Sequence, residues 1–223
     1  MRHGTLIVVS GIDGSGKSTQ ATLLCERLRK EGWRADYVWA RRVPVLTRLP
    51  AWLIKQLFLR ERKKSDGDAY LSITPRRKAI FKSRFYRFCW TRSLLCEYLL
   101  VTWFRIRLSH RGAHYIVVDR YLPDALVDFA SMAPDPVGEL KRMRRSWMVR
   151  MFPTASILFL IDIPAEIGWQ RKKDGTSLDY LADRQPLYVE FTRGCSSSFV
   201  LDGTRAVDEV GESIWRLFDM NRG

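Results

Sequence analysis

The chain has 223 residues, 46% of them hydrophobic, which is enough to enclose a sizeable core within one domain. Its 38 Lys and Arg outnumber 24 Asp and Glu, and the formal charge of +14 points to anionic partners: nucleotides, nucleic acid or an acidic membrane surface. Cys25, Cys89, Cys96 and Cys195 form no CxxC pair and sit by no histidine cluster, which excludes a zinc or disulfide framework and suits a cytoplasmic setting.

The first apolar run, Leu6-Ile7-Val8-Val9, predicts a strand over 5–10, so close to the start that no signal peptide is expected before it. Gly11-Ile12-Asp13-Gly14-Ser15-Gly16-Lys17-Ser18-Thr19 follows at once and opens a helix over 17–30, the context a phosphate-binding loop requires. Gly11, Gly14 and Gly16 let the backbone turn its N–H groups inward. The helix that follows adds its positive end. Lys17 would reach the β- and γ-phosphates of a nucleotide, while the Ser18 hydroxyl, with Thr19 beside it, would face Mg²⁺.

A second strand is expected at 35–39, a helix at 44–60, a polar loop at 65–68 and a long helical run over 77–108. The third strand, 115–119, ends in Asp119-Arg120-Tyr121. Ligands of a parallel sheet collect at that end, so Asp119 is placed to hold the Mg²⁺ water shell or orient an acceptor, and Arg120 to neutralise phosphate charge. Further helices are expected at 123–131, 139–151, 165–172, 178–193 and 207–220, with strands at 156–161 and 199–201 and a loop at 132–136. Continuous apolar strands alternating with helices imply a parallel sheet covered on both faces. Gln170-Arg171-Lys172-Lys173-Asp174-Gly175, followed by Asp183-Arg184, concentrates charge in a segment able to close over a phosphoryl group, with Arg171 the first choice for contact and Arg184 the alternative.

The stretch 80–108 interleaves Phe81, Phe85, Trp90, Trp103 and Phe104 with Lys82, Arg84, Arg92, Arg105 and Arg107. Two readings stand side by side: core and dimer surface, or contact with an anionic membrane, which the Pro50–Arg60 segment would extend. No apolar run approaches the roughly 18 residues of a spanning helix.

The phosphate loop, the strand-terminal Asp119-Arg120-Tyr121 and Leu160-Ile161-Asp162-Ile163-Pro164-Ala165-Glu166 followed by Arg171 together resemble the thymidylate kinase family, in an order that spans nearly the whole chain. The resemblance implies an α/β P-loop NTPase fold: a single domain over 1–223, a five-stranded parallel sheet with helices on both faces, and a short lid near 171–184. It also implies a homodimer, and an enzyme that moves the γ-phosphate of ATP, with Mg²⁺, onto a nucleoside monophosphate such as dTMP. By matching position, Asp13 resembles the carboxylate that approaches the acceptor sugar, Arg41 or Arg42 the arginine that grips the acceptor phosphate, and Thr204 and Arg205 part of the loop around the adenine. Arg92 or Arg105 resembles an acceptor-site arginine of the corresponding helix. Arg120, Tyr121 and Asp124 fall on the acceptor side.

On that side the chain departs from the family. Trp39-Ala40-Arg41-Arg42-Val43-Pro44 keeps an arginine but not its surroundings, and Asp124 and Asp128 stand where Ser and amide side chains are usual. Unmatched polar groups in a base pocket are costly, so the preferred acceptor should change. Three functions are therefore weighed: a nucleoside monophosphate kinase, a phosphotransferase of the same fold acting on a glycan or lipid-linked acceptor near a membrane, and a non-catalytic NTP-binding module. No nucleic-acid-reading motif is present, which places nucleic acid last among partners.

Overall fold

The computed structural model describes residues 4–40, 84–109, 112–172 and 175–222. The expectations for Arg41, Arg42, the helix at 44–60 and the loop at 65–68 lie outside the described residues. The chain divides into two compact units, Met1–Arg41 with Thr102–Gly223, and Arg42–Val101.

The first unit is built on strands β1 (Thr5–Ser10), β2 (Ala35–Trp39), β3 (Tyr115–Asp119), β4 (Ile157–Asp162) and β5 (Ser198–Asp202). They form one sheet in the order β2-β3-β1-β4-β5. Every pairing is parallel, with Val8 opposite Val118 on one side and Leu158 on the other. The fold is thus the α/β arrangement expected of a P-loop kinase. Because side chains alternate along a strand, Ile7 and Val9 face one layer and Leu6 and Val8 the other, and all four are buried. The first layer is closed by α1 (Lys17–Lys30) through Ala21, Leu24 and Leu28, and by α9 (Val207–Asn221) through Val210, Ile214 and Phe218.

The opposite layer contains α3 (Leu122–Ala130), α4 (Pro136–Arg144) and α8 (Gln185–Thr192), which pack on one another, α8 also reaching β4. Short helices α5 (Trp147–Arg150), α6 (Ala165–Arg171) and α7 (Leu178–Ala182) complete the described elements. Helix α2 (Arg84–Ser109) makes up the described part of the second unit and runs on into the first, where Thr102 and Ile106 are buried.

Two expected helices are corrected. The run over 139–151 is two helices, because the Ser146 hydroxyl caps a new start by accepting from the Val149 N–H at 3.4 Å. The run over 178–193 breaks at Asp183-Arg184: Pro186 has no N–H to continue the ladder and sits instead in the first turn of α8, where none is needed.

Candidate active site

β1 is central, and its last residue delivers the phosphate loop to the carboxyl edge of the sheet. Gly14 and Gly16 adopt φ of 83° and 87°, values that side chains resist, so glycine is required at both. Helix α1 begins at Lys17 without a side-chain cap, leaving its first N–H groups directed to the loop, with Ser18 and Thr19 exposed at its mouth. The buried Lys17 ammonium donates to the Ile12 carbonyl at 2.9 Å and to Asp13 Oδ1 at 3.1 Å.

Asp13 is the hub of the site. Besides Lys17, it takes Arg120 Nη2 on Oδ1 and Lys172 Nζ on Oδ2, the latter at 2.7 Å. Burial opposes its charge, but Lys17, Arg120 and Lys172 outweigh burial and hold its carboxyl far below the usual range. Lys17 is pushed the other way. Burial and the neighbouring Arg120 lower its ammonium below the ordinary lysine value, with Asp13 only partly restoring it. Three cations thus converge on one carboxylate in a shielded loop, an imbalance that a bound anion relieves.

Arg120 reaches Asp13 because its backbone takes φ 62°, the left-handed region that a residue of this type enters only under tertiary constraint. Asp119 is fully buried, and its Oδ2 accepts the Tyr37 hydroxyl at 2.9 Å. Among the described residues, neither its Oδ1 nor the Ser15 hydroxyl has a hydrogen-bond partner. The orphaned Asp119 oxygen and the Ser18 hydroxyl exposed at the start of α1 are hard-oxygen donors of the kind that fit Mg²⁺, which keeps most of its shell from phosphate and water.

The 202–205 turn follows the end of β5 on this edge. Asp202 Oδ1 accepts from the Thr204 N–H at 2.9 Å and its hydroxyl at 2.6 Å, while Arg205 Nε lies 3.5 Å from Asp202 Oδ2. Arg171 donates to the Gly203 carbonyl at 3.0 Å. The lid arginine of the sequence reading therefore rests on the 202–205 turn, and it is the adjacent Lys172 that reaches the phosphate loop.

On the acceptor side, Tyr121 is turned inward. Its ring is buried against Phe152 and its hydroxyl donates to the Pro153 carbonyl at 2.8 Å, so the structure does not bring it to the loop. Asp124 is buried too, and accepts from the Ser10 hydroxyl at 2.7 Å, the Tyr188 hydroxyl at 3.0 Å and the Tyr121 N–H at 3.2 Å. Its capacity is spent on the protein. One turn on, Asp128 Oδ1 accepts from Arg184 Nε at 3.1 Å and the Tyr180 hydroxyl at 3.4 Å. Arg92 lies on α2 in the second unit.

Sequence reasoning missed Tyr37, Lys172 as the Asp13 partner, and Tyr188. Lys172 stood in the basic run that drew attention to Arg171, and Tyr37 alternates on its strand with no distinguishing signal.

No protein-family model matches the chain. It is 28% identical to a thymidylate kinase of Rhodopirellula baltica over 222 residues, covering 95% of this chain and 78% of that one. It is 26% identical to a thymidylate kinase of Thermosipho africanus over 212 residues, 92% of each chain, and 26% identical to that of Thermosipho melanesiensis over 223 residues, 96% of each. These relatives and a fourth, 22% identical, are all thymidylate kinases, and each is matched over more than nine-tenths of this chain. Among the described residues, no helix is long and apolar enough to cross a membrane.

Proposed function

We propose that this protein transfers the γ-phosphate of MgATP to a nucleoside monophosphate, within one kinase domain whose lid is the 171–184 segment. The observation that carries the reading is the convergence of Lys17, Arg120 and Lys172 on Asp13 at the phosphate loop. A triphosphate entering the loop replaces the Asp13 carboxylate as the partner of these cations, and the positive charge is already in place where charge develops during transfer. Lys17 and the loop amides hold the donor phosphates. Arg120 and Lys172 stand on either side of Asp13 to bridge donor and acceptor, and Arg171 steadies the Gly203 turn beside the adenine. Ser18 and Asp119 are the residues that would hold Mg²⁺, which would supply charge neutralisation on the donor phosphates. An acceptor that is already a phosphate monoester needs no general base, so positioning supplies most of the rate.

The exposed Trp103 and Phe104 rings on α2 favour an apolar contact there, which we assign to a homodimer in the cytoplasm, with an anionic membrane surface as the alternative. The test of function is ADP release from MgATP, screened against dTMP, dUMP, UMP, CMP, AMP and GMP. Stimulation by at least one of them, reduced at least about a hundredfold by Lys17→Ala, supports the reading. Bound ATP with no stimulated turnover by any would turn it toward a glycan or lipid-linked acceptor, or a non-catalytic module.

A further inference from the structure

Asp119 ends β3 opposite Val9 of β1, just before the phosphate loop opens, and the next residue ties the two strands, the Arg120 N–H donating to the Val9 carbonyl at 3.3 Å. Backbone pairing therefore places this carboxylate at the root of the loop. Its side of the sheet follows from alternation: Tyr115 and Val117 pack in the layer that α1 closes, and Asp119, two residues on, continues that side toward the end of α1 that carries Lys17 and Ser18. There it is fully buried, with unequal oxygens. Oδ2 accepts the Tyr37 hydroxyl at 2.9 Å, and Oδ1 accepts nothing from the described residues. One neutral donor is poor compensation for a buried carboxylate, which is costly without a cation or a fuller set of hydrogen bonds.

Tyr37 comes from the edge strand β2, where it stands opposite Val117. The residue opposite Asp119 is Trp39, so Tyr37 lies two positions back on the same side, and a long side chain is needed to reach along the sheet to the carboxylate. Its ring is 37% exposed, yet its hydroxyl is spent on a buried oxygen and not on water. β2 and β3 are already joined by their ladder from Ala35 to Trp39, and the Ala40 N–H adds a bond to the Asp119 carbonyl at 3.0 Å, so fastening the strands does not call for the pair. A carboxylate free to rotate offers either oxygen. One pinned at Oδ2 offers Oδ1 alone.

We propose that Tyr37 is a positioning residue for the cation site: by holding Asp119 Oδ2, it fixes the carboxylate so that Oδ1 is the oxygen offered to hydrated Mg²⁺. This rests on the kinase reading above. A donor that orients a metal-binding carboxylate is worth about ten- to a hundredfold in metal affinity although it never touches the ion.

The experiment is calorimetric titration of the full chain with a non-hydrolysable ATP analogue, once in Mg²⁺ and once in EDTA, and its readout is the ratio of the two affinities. Wild type should bind the analogue about tenfold or more tightly with Mg²⁺, and Asp119→Asn should lose most of that advantage. Tyr37→Phe, which removes the hydroxyl and keeps the ring, should bring the ratio down by about tenfold while affinity in EDTA stays near wild type. Tyr37→Val, which also lacks the donor and suits a strand, should do the same with different packing. A pair that merely fastened β2 would lower the melting temperature and move both affinities together, leaving the ratio alone. A wild-type ratio of one, or a ratio unmoved by Asp119→Asn or by both Tyr37 variants, would overturn this proposal. Wild-type binding of the analogue that is indifferent to Lys17→Ala would instead bring down the kinase reading itself.

Discussion

Asp13 and Asp124 lie near the same strand ends, yet their surroundings move them in opposite directions: three cations hold Asp13 down, while burial pushes Asp124 up against the pull of Arg120 and Lys17. Asp13 therefore contributes stability that is fully present above its unfolded value, 3.8, and is lost as pH falls toward its lower folded value. In urea titrations, wild type should exceed Asp13→Asn by a constant margin above about pH 5, and the margin should shrink below about pH 4. Asp124→Ala strands the Ser10 and Tyr188 hydroxyls and the Tyr121 N–H, and should cost about 3–5 kcal/mol in the same assay at neutral pH. Of these residues, Asp13, Lys17 and Arg120 were legible in the chain, because the loop motif and the strand-terminal triplet announce themselves by neighbours in sequence. Tyr37, Lys172 and Tyr188 were not. Their partners are distant in the chain, and a hydroxyl or ammonium carries no local mark of what it will meet.

At the scale of elements, the phosphate loop is seated against α6 glycine on glycine. A Cβ on Gly168 would come within 2.7 Å of the Asp13 carbonyl, and one on Gly14 would overlap the Gly168 backbone. Gly168→Ala should therefore force α6 away from the loop, lower stability by about 1–3 kcal/mol and weaken ADP binding, the two effects read by thermal melting and calorimetry. Because Lys172 and Arg171 ride at the end of α6, the same shift loosens both from Asp13 and Gly203. The five strands and α1, α3, α6 and α9 were recoverable from apolar runs and the loop motif to within a residue or two. The breaks at Ser146 and at Asp183-Arg184 were not, since apolar periodicity runs through a one-residue cap and a proline in a first turn reads like one that ends a helix.

At the scale of the whole molecule, the site sits on one edge of a sheet whose far layer is sealed by α9. Phe218 is fully buried there, 5.1 Å from the Tyr115 ring and 5.5 Å from Trp215. Phe218→Ala should cost about 3–5 kcal/mol in urea denaturation and leave ADP affinity at low temperature unchanged, since Phe218 packs on Tyr115 and Trp215 and not on the loop.

By itself the sequence determined the phosphate loop, the five strands and their covering helices, because each is written in contiguous residues: a glycine spacing, an apolar run, a helical period. Only the tertiary structure decided which charges meet. Asp13 draws Lys172 from 159 positions away, Asp124 is used up by Ser10 and Tyr188, and Asp128 takes Tyr180 and Arg184 from more than 50 positions on. The order β2-β3-β1-β4-β5 brings those residues to a single edge, and that convergence is a property of packing and burial, not of any stretch of chain.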